Sequence, residues 1–429
     1  MERNAMKELI LWKQKNNRKP LILQGARQVG KTWLMKEFAE RAFDDYVYIN
    51  FENNALLEHL FEQDFDIDRI LLEIQVAVHW KITPDTLLLL DEIQEVRRGI
   101  TSLKYFYEQR PGQPVIAAGS LLGVATHEKD SFPVGKVDLL TLYPLSFCEF
   151  LDAMDMTPLA ELVRTGNWQS VNTFAARYET LLKQYYFVGG MPEVVDDFAK
   201  EKDFANVRRL QQTILDTYDR DFSKHAPVRD IPRIRMVWRS IIGQLAKENR
   251  KFIYGFIKEG ARAKDYELSL EWLRDAGLIH IIHRTKKGLV PLAAYEDFSA
   301  FKVYMLDTGL LCAMADISAE TLLHGSDIFT DFKGALTEQF VLQQLVADKE
   351  NVIYYWSQDN SQGELDFLVQ RKGKIHPVEV KANENLQAKS LRKFVEANEG
   401  LHGVRFSLSP YRQQSWLTNF PLYTVEAAL

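Results

Sequence analysis

Gly25-Ala26-Arg27-Gln28-Val29-Gly30-Lys31-Thr32 joins the apolar run Leu21-Ile22-Leu23 to a helical pattern from Trp33 to Ala39, and it constrains the fold more than any other segment. Two glycines at this spacing, then a lysine and a hydroxyl, let main-chain N–H groups close around phosphate oxygens where a strand gives way to a helix. Lys31 would reach the β and γ phosphates of a nucleotide, and the Thr32 hydroxyl would bind Mg²⁺. Gly25 to Thr32 are therefore the expected nucleotide-binding residues, with ATP and Mg²⁺ as the expected ligands. An ordinary glycine-rich turn is the plain alternative.

Around this loop the first 145 residues alternate short apolar runs with helical patterns, which predicts an α/β domain with a mainly parallel sheet covered on both faces. Strands are expected over Pro20 to Gln24, Tyr46 to Phe51, Thr86 to Leu90, Pro114 to Ala118 and Leu139 to Tyr143. The run Leu87-Leu88-Leu89-Leu90 ends in Asp91-Glu92. A parallel strand delivers its C-terminal residues to the edge where phosphates bind, so Asp91 is expected to support Mg²⁺ and Glu92 to activate the attacking water. An acidic helix N-cap is the bland reading of the same pair. The next strand ends at Gly119-Ser120, where Ser120 would bond the γ-phosphate or the water. Arg97, Arg98 and Lys136 are positional candidates for a cation on the developing charge, against the simpler account of solvated surface charges.

The chain has 429 residues, 46% hydrophobic and 26% charged, which points to several folded domains rather than a disordered or fibrous chain. Two distant cysteines, Cys148 and Cys312, fit a reducing compartment, so a cytoplasmic location is expected. The amphipathic start and the lack of any apolar run near the ~18 residues that span a bilayer argue against a signal peptide and against a membrane partner. Strand signals stop after Leu145, and a helical subdomain is expected over 146–228, interrupted by Gly189-Gly190-Met191-Pro192.

Residues 229–330 read as a winged helix. Helices are expected near Ile234 to Leu245, Ile253 to Lys258 and Lys264 to Asp275, then strands near Leu278 to His283 and Leu289 to Leu292 around a basic turn. Residues 229–290 hold fourteen Lys and Arg against seven Asp and Glu, inside a chain of net charge −6. A basic module in an acidic protein suits a phosphate backbone, with Arg262, Lys264, Lys286 and Lys287 as the expected DNA contacts. Protein docking, or neutralisation of acidic neighbours, explains the same charge.

The tail, 331–429, reads as a small α/β domain. Asp366 and the Glu379/Lys381 pair would meet at one sheet edge, with Glu338 completing a metal site and Lys381 orienting or deprotonating water for phosphodiester attack. An amphipathic hairpin with alternating charges is the alternative.

Together these residues resemble bacterial and archaeal AAA-type ATPases that carry a C-terminal domain of unknown function with a restriction-endonuclease-like core. The resemblance rests on the phosphate loop with Arg27-Gln28-Val29, Asp91-Glu92-Ile93-Gln94, Gly119-Ser120, Tyr143-Pro144-Leu145-Ser146-Phe147, Gly189-Gly190-Met191-Pro192, Asp307-Thr308-Gly309-Leu310, Gly334-Ala335-Leu336-Thr337-Glu338 and Glu379/Lys381. It covers nearly the whole chain. It implies a P-loop NTPase parallel sheet (1–145), a helical lid (146–228), a winged helix (229–330) and a tail similar to PD-(D/E)xK nucleases (331–429). ATP and Mg²⁺ are the implied ligands. DNA is expected from the basic module alone, and an arginine supplied in trans would favour a homo-oligomer. Gly135-Lys136 departs from the Gly-Arg frequent in that family, and lysine lacks the bidentate geometry of arginine.

Overall fold

The computed structural model describes residues 1–120, 132–247, 250–324, 330–358, 363–382 and 388–429. The chain forms two compact units, one of Glu2–Tyr143 with Asp275–Leu278, the other of Met1, Pro144–Arg274 and Ile279–Leu429.

In the first unit the order is α1 (Ala5–Lys13), β1 (Leu21–Gln24), α2 (Lys31–Ala42), β2 (Tyr46–Asn50), α3 (Ile67–Val78), β3 (Leu87–Asp91), α4 (Gly99–Gln109), β4 (Val115–Ala118) and β5 (Asp138–Thr141). All five strands are parallel, in the order β2-β3-β4-β1-β5. Every residue of β3 and β4 is buried, as their unbroken apolar runs require. Leu88 and Leu90 share a cluster with Ile70, Ile74, Leu103 and Phe106, while Leu87 and Leu89 alternate to the opposite face. Each such leucine stabilises the sheet by about 1.5–3 kcal/mol. Because β4 lies between β1 and β3, the turns after these three strands open on one edge of the sheet.

The second unit begins with helices α5 (Phe147–Ala153), α6 (Thr157–Arg164), α7 (Trp168–Thr173), α8 (Ala175–Val188), α9 (Pro192–Glu201) and α10 (Phe204–His225). Then come α11 (Ile231–Leu245), α12 (Tyr254–Ile257), α13 (Ala263–Asp275), β6 (Ile279–Thr285), β7 (Glu296–Met305), α14 (Thr308–Met314), α15 (Ala319–His324) and α16 (Thr330–Val346). The tail adds β8 (Val352–Ser357), β9 (Glu364–Arg371), β10 (Lys374–Val380), α17 (Lys389–Ala397), β11 (Gly403–Ser407), β12 (Arg412–Gln413), β13 (Leu417–Pro421) and α18 (Val425–Ala428).

The strand expected over 289–292 does not form. Pro291 has no N–H for a ladder, Leu289 and Val290 are exposed, and a 3₁₀ turn at Leu292–Tyr295 leads into β7 instead. β6 pairs antiparallel with β7 and parallel with β8, so this hairpin and the tail share one eight-stranded sheet, β12-β13-β11-β10-β9-β8-β6-β7.

Several short motifs meet in one buried polar node of this unit. The Leu145 N–H donates to Gly190 O at 2.6 Å, and the Gly190 N–H donates to Asp307 Oδ2 at 2.6 Å. Asp307 Oδ1 accepts from the Leu310 N–H at 2.9 Å, and Gln343 Nε2 donates to Asp307 Oδ2 and to Tyr185 Oη, both at 3.0 Å. The Tyr185 hydroxyl closes the circuit on Leu145 O. A Cβ on Gly190 would stand 2.2 Å from Leu145 O, so only glycine fits there. Burial pushes the Asp307 carboxyl upward against the hydrogen bonds it accepts, which fix its orientation.

Candidate active site

The phosphate loop leaves β1 at Gln24 and enters α2 through Gly30. A Cβ on Gly25 (φ +144°) would lie 2.3 Å from Leu142 O, which explains why the loop begins with glycine. Arg3, itself buried, ties the loop to the end of β5: Nη1 donates to Val29 O at 3.2 Å and Nη2 to Tyr143 O at 2.7 Å. Lys31 is buried, and its Nζ donates to Gly25 O at 2.9 Å and Ala26 O at 2.8 Å. Burial lowers the Lys31 amine to about 8, although Glu92 and Asp91 pull the other way.

Thr32 Oγ1 donates to Asp91 Oδ2 at 2.7 Å. The hydroxyl hydrogen is thus committed to the carboxylate, and the lone pairs of Oγ1 are left for a cation. The same Oδ2 accepts from the Tyr48 hydroxyl at 2.9 Å, and Asp91 Oδ1 accepts from the Glu92 N–H at 3.1 Å. Burial and the Asp91 charge push the Tyr48 hydroxyl up to about 12, which keeps it a donor. This oxygen set fits Mg²⁺, a hard cation that takes few protein ligands beside phosphate oxygens.

Glu92 sits in the left-handed region (φ 50°, ψ 44°) between β3 and a 3₁₀ turn, Ile93–Glu95. Ser120 Oγ donates to Glu92 Oε1 at 3.1 Å, and Gln94 Nε2 donates to Oε2 at 2.5 Å. The structure therefore brings together Lys31, Thr32, Asp91, Glu92 and Ser120, from three turns on one sheet edge. Sequence reasoning missed Tyr48 and gave Gln94 no role. In the structure Tyr48 lies two residues before Asn50, which pairs with Asp91, and nothing in the sequence alone marks that register. Two of the three candidate cations are engaged locally: Lys136 pairs with Glu108 at 3.2 Å, and Arg98 donates to Glu62 O and lies over Phe65. Arg97 is exposed.

In the second unit, Asp366 Oδ2 accepts from the Val380 N–H at 2.7 Å, where β10 parts from β9. Lys381 Nζ pairs with Glu379 Oε1 at 2.6 Å, and the buried Glu379 Oε2 has no partner among the described residues. Glu338 departs from expectation. Its carboxylate is buried and already holds Arg250, Tyr304 and Lys302, the last at 3.3 Å from Oε1. Lys302 also pairs with Glu364 at 2.6 Å. Burial alone would raise Glu338, but Arg250 and Lys302 hold it at about 2, whereas burial and the Glu338 charge push Asp366 up to about 7. Among the described residues, no group of three or more His, Cys, Asp or Glu is set to hold a metal. Glu338 lies against Asp366, but two cations from outside the tail, Arg250 and Lys302, already hold it, and Arg250 also stands 4.0 Å from Asp366 Oδ1.

Arg262, Lys264, Lys286 and Lys287 are all exposed. The Arg262 N–H donates to Asp265 Oδ2 at 3.1 Å at the start of α13, and Lys287 Nζ lies over the Tyr295 ring. The exposed face of α13 mixes Lys264 and Arg274 with Glu267, Leu268 and Glu271. Part of the basic excess is spent internally, since Arg235 pairs with Asp219, Arg284 with Asp297 and Arg250 with Glu338.

Residues 17–151 match a family model described as an AAA domain. Residues 179–321 and 333–424 match models that are each described as a domain of unknown function, DUF8612 and DUF4143. The chain is 23% identical over 394 residues to the uncharacterized protein MJ1544 of Methanocaldococcus jannaschii, which covers 89% of this chain and 79% of that one. It is 24% identical over 324 residues to an uncharacterized protein of Haemophilus influenzae, covering 72% and 71%. Among solved structures, the Walker-type ATPase PABY2304 of Pyrococcus abyssi is similar at 14% identity and a TM-score of 0.46, over 73% of this chain and 95% of that one. The stretch that matches the AAA model takes in the five-stranded parallel sheet and its phosphate loop. No helix among the described residues is long and apolar enough to cross a membrane.

Proposed function

We propose that the chain is a Mg²⁺-dependent ATPase that couples hydrolysis to DNA held by a winged-helix module. The observation that carries the ATPase reading is the convergence of Thr32 on Asp91 and of Ser120 on Glu92, beside the buried Lys31 amine. Loop amides and Lys31 hold the triphosphate, and bound Mg²⁺, held by Thr32 and supported by Asp91, would neutralise phosphate charge. Glu92 accepts a proton from water as the water oxygen bonds the γ-phosphorus and the bridging oxygen leaves with ADP. A cytoplasmic chain that self-associates, so that a second copy supplies the arginine, completes this reading.

The four-part division at 145/146, 228/229 and 330/331 belongs to the same proposal. In it Arg262, Lys264, Lys286 and Lys287 contact the DNA backbone, and Asp366, Glu379 and Lys381 form a Mg²⁺-dependent phosphodiester site. Glu379 Oε2, without a partner among the described residues, and Lys381 on the other oxygen support that assignment.

A second reading, a nucleotide-switched protein whose later domains dock proteins, is favoured by Glu267 and Glu271 on the exposed face of α13, where they would repel phosphates. Binding to duplex and branched DNA at several salt concentrations decides between them. A grip through several phosphates weakens steeply as salt rises; no affinity at low salt removes the DNA reading. Nicking with Mg²⁺ or Mn²⁺, abolished by Asp366→Ala or Lys381→Ala, is expected of the tail. No nicking of linear, branched or single-stranded DNA leaves the tail a packing domain.

A further inference from the structure

In an α-helix, side chains two apart do not face each other. Here the left-handed backbone of Glu92 and the 3₁₀ turn after it, closed by the Glu95 N–H on Glu92 O at 2.9 Å, bring the Gln94 side chain back onto the Glu92 carboxylate. Ile93, fully buried, anchors the turn between them.

A carboxylate only accepts hydrogen bonds, so the amide nitrogen of Gln94 must be the atom that faces Glu92. That nitrogen donates to Glu92 Oε2 at 2.5 Å, with Glu95 Oε1 at 3.5 Å on its other side. The amide oxygen is left over. Gln94 Oε1 is buried and has no partner among the described residues. An unsatisfied buried acceptor is costly, and a donor that reaches it during function recovers that cost. A water molecule bound for the γ-phosphate is such a donor, since it has two hydrogens and Glu92 takes one.

We infer that Gln94 is a positioning residue for ATP hydrolysis: its nitrogen fixes Glu92, and its oxygen is the second acceptor for the attacking water. The inference rests on the ATPase reading above. Ser120 and Gln94 then hold the two carboxylate oxygens from opposite sides, one from the end of β4 and one from the turn after β3. The base cannot rotate away from the water.

The test uses the full chain and four proteins: wild type, Gln94→Leu, Glu92→Gln and the double variant, with ATP turnover and ATP affinity measured on each. Gln94→Leu is expected to lower kcat by about tenfold or more, the size of a lost hydrogen bond to a charged group, with ATP affinity and Tm unchanged. In the Glu92→Gln background the same substitution is expected to lower turnover by a smaller factor than in wild type, because the part of its effect that runs through Glu92 is already lost. Equal losses in both backgrounds, or a kcat loss that follows a fall in Tm or in ATP affinity, would assign Gln94 a merely structural role and overturn the inference. Wild-type turnover that survives Gln94→Leu overturns it alone. A wild type with no turnover overturns the ATPase reading first and this inference with it. Gln94→Glu, close in shape, repeats the test if the leucine variant does not fold; it keeps an acceptor but loses the donor, and full activity in it contradicts the inference.

Discussion

The Thr32 hydroxyl donates its hydrogen to Asp91 Oδ2 across 2.7 Å, joining the first turn of α2 to the end of β3. Two residues 59 positions apart are thereby set as one oxygen pair. Thr32→Val removes the lone pairs while keeping the shape. Titration calorimetry is expected to show similar affinity for ATP in EDTA but no gain when Mg²⁺ is added, with turnover down about tenfold or more. An undiminished Mg²⁺ effect would separate Thr32 from the metal.

Tyr48 shares Asp91 Oδ2 with Thr32 at 2.9 Å. Tyr48→Phe deletes one donor to a charged acceptor, and a loss of about 1.5–3 kcal/mol at Asp91 is the expected scale. In steady-state kinetics the predicted result is a higher Mg²⁺ requirement, with the protein still folded. Unaltered Mg²⁺ dependence would make Tyr48 a packing residue.

Lys31 carries the pH dependence of binding. Its amine is lowered to about 8 by burial, and triphosphate charge favours the protonated form. ATP affinity is therefore expected to fall as pH rises above about 8, and binding at pH 8.5 to take up a proton. Calorimetry in two buffers of different ionisation enthalpy reads that proton directly. Zero uptake would mean that the amine is already fully charged without nucleotide.

Gly190→Ala drives a Cβ to 2.2 Å from Leu145 O, at the node that Asp307 and Gln343 hold together. The two nearest atoms are the main-chain O and N of Leu145, and the third is the hydroxyl of the buried Tyr185. A loss of about 3 kcal/mol or more is predicted, read as a lower Tm with a normal nucleotide site. An unchanged Tm would show that the node can relax.

The five parallel strands and the loop between β1 and α2 were legible because each is one contiguous signal: an apolar run, or two glycines before Lys31-Thr32. Asp91, Glu92 and Ser120 were legible from strand ends alone. Tyr48 was not, since a tyrosine in an alternating strand carries no mark of which acid it will meet. The Gln94 contact depends on the left-handed backbone at Glu92, which glutamate does not announce. In the tail, Arg250 and Lys302 reach Glu338 from 88 and 36 positions away, so no local pattern could show that this carboxylate is taken. The strand at 296–305 was missed because Pro291 and Gly288 looked like the hairpin itself rather than the loop before its second strand.

The most direct test compares ATP binding and hydrolysis in wild type, Lys31→Ala and Glu92→Gln. Nucleotide binding is predicted to vanish with Lys31→Ala. With Glu92→Gln it is predicted to persist, while turnover drops by about 100-fold or more, the size of a lost general base. Folded wild-type protein that binds no nucleotide, or two variants that lose ATP affinity alike, would contradict the account.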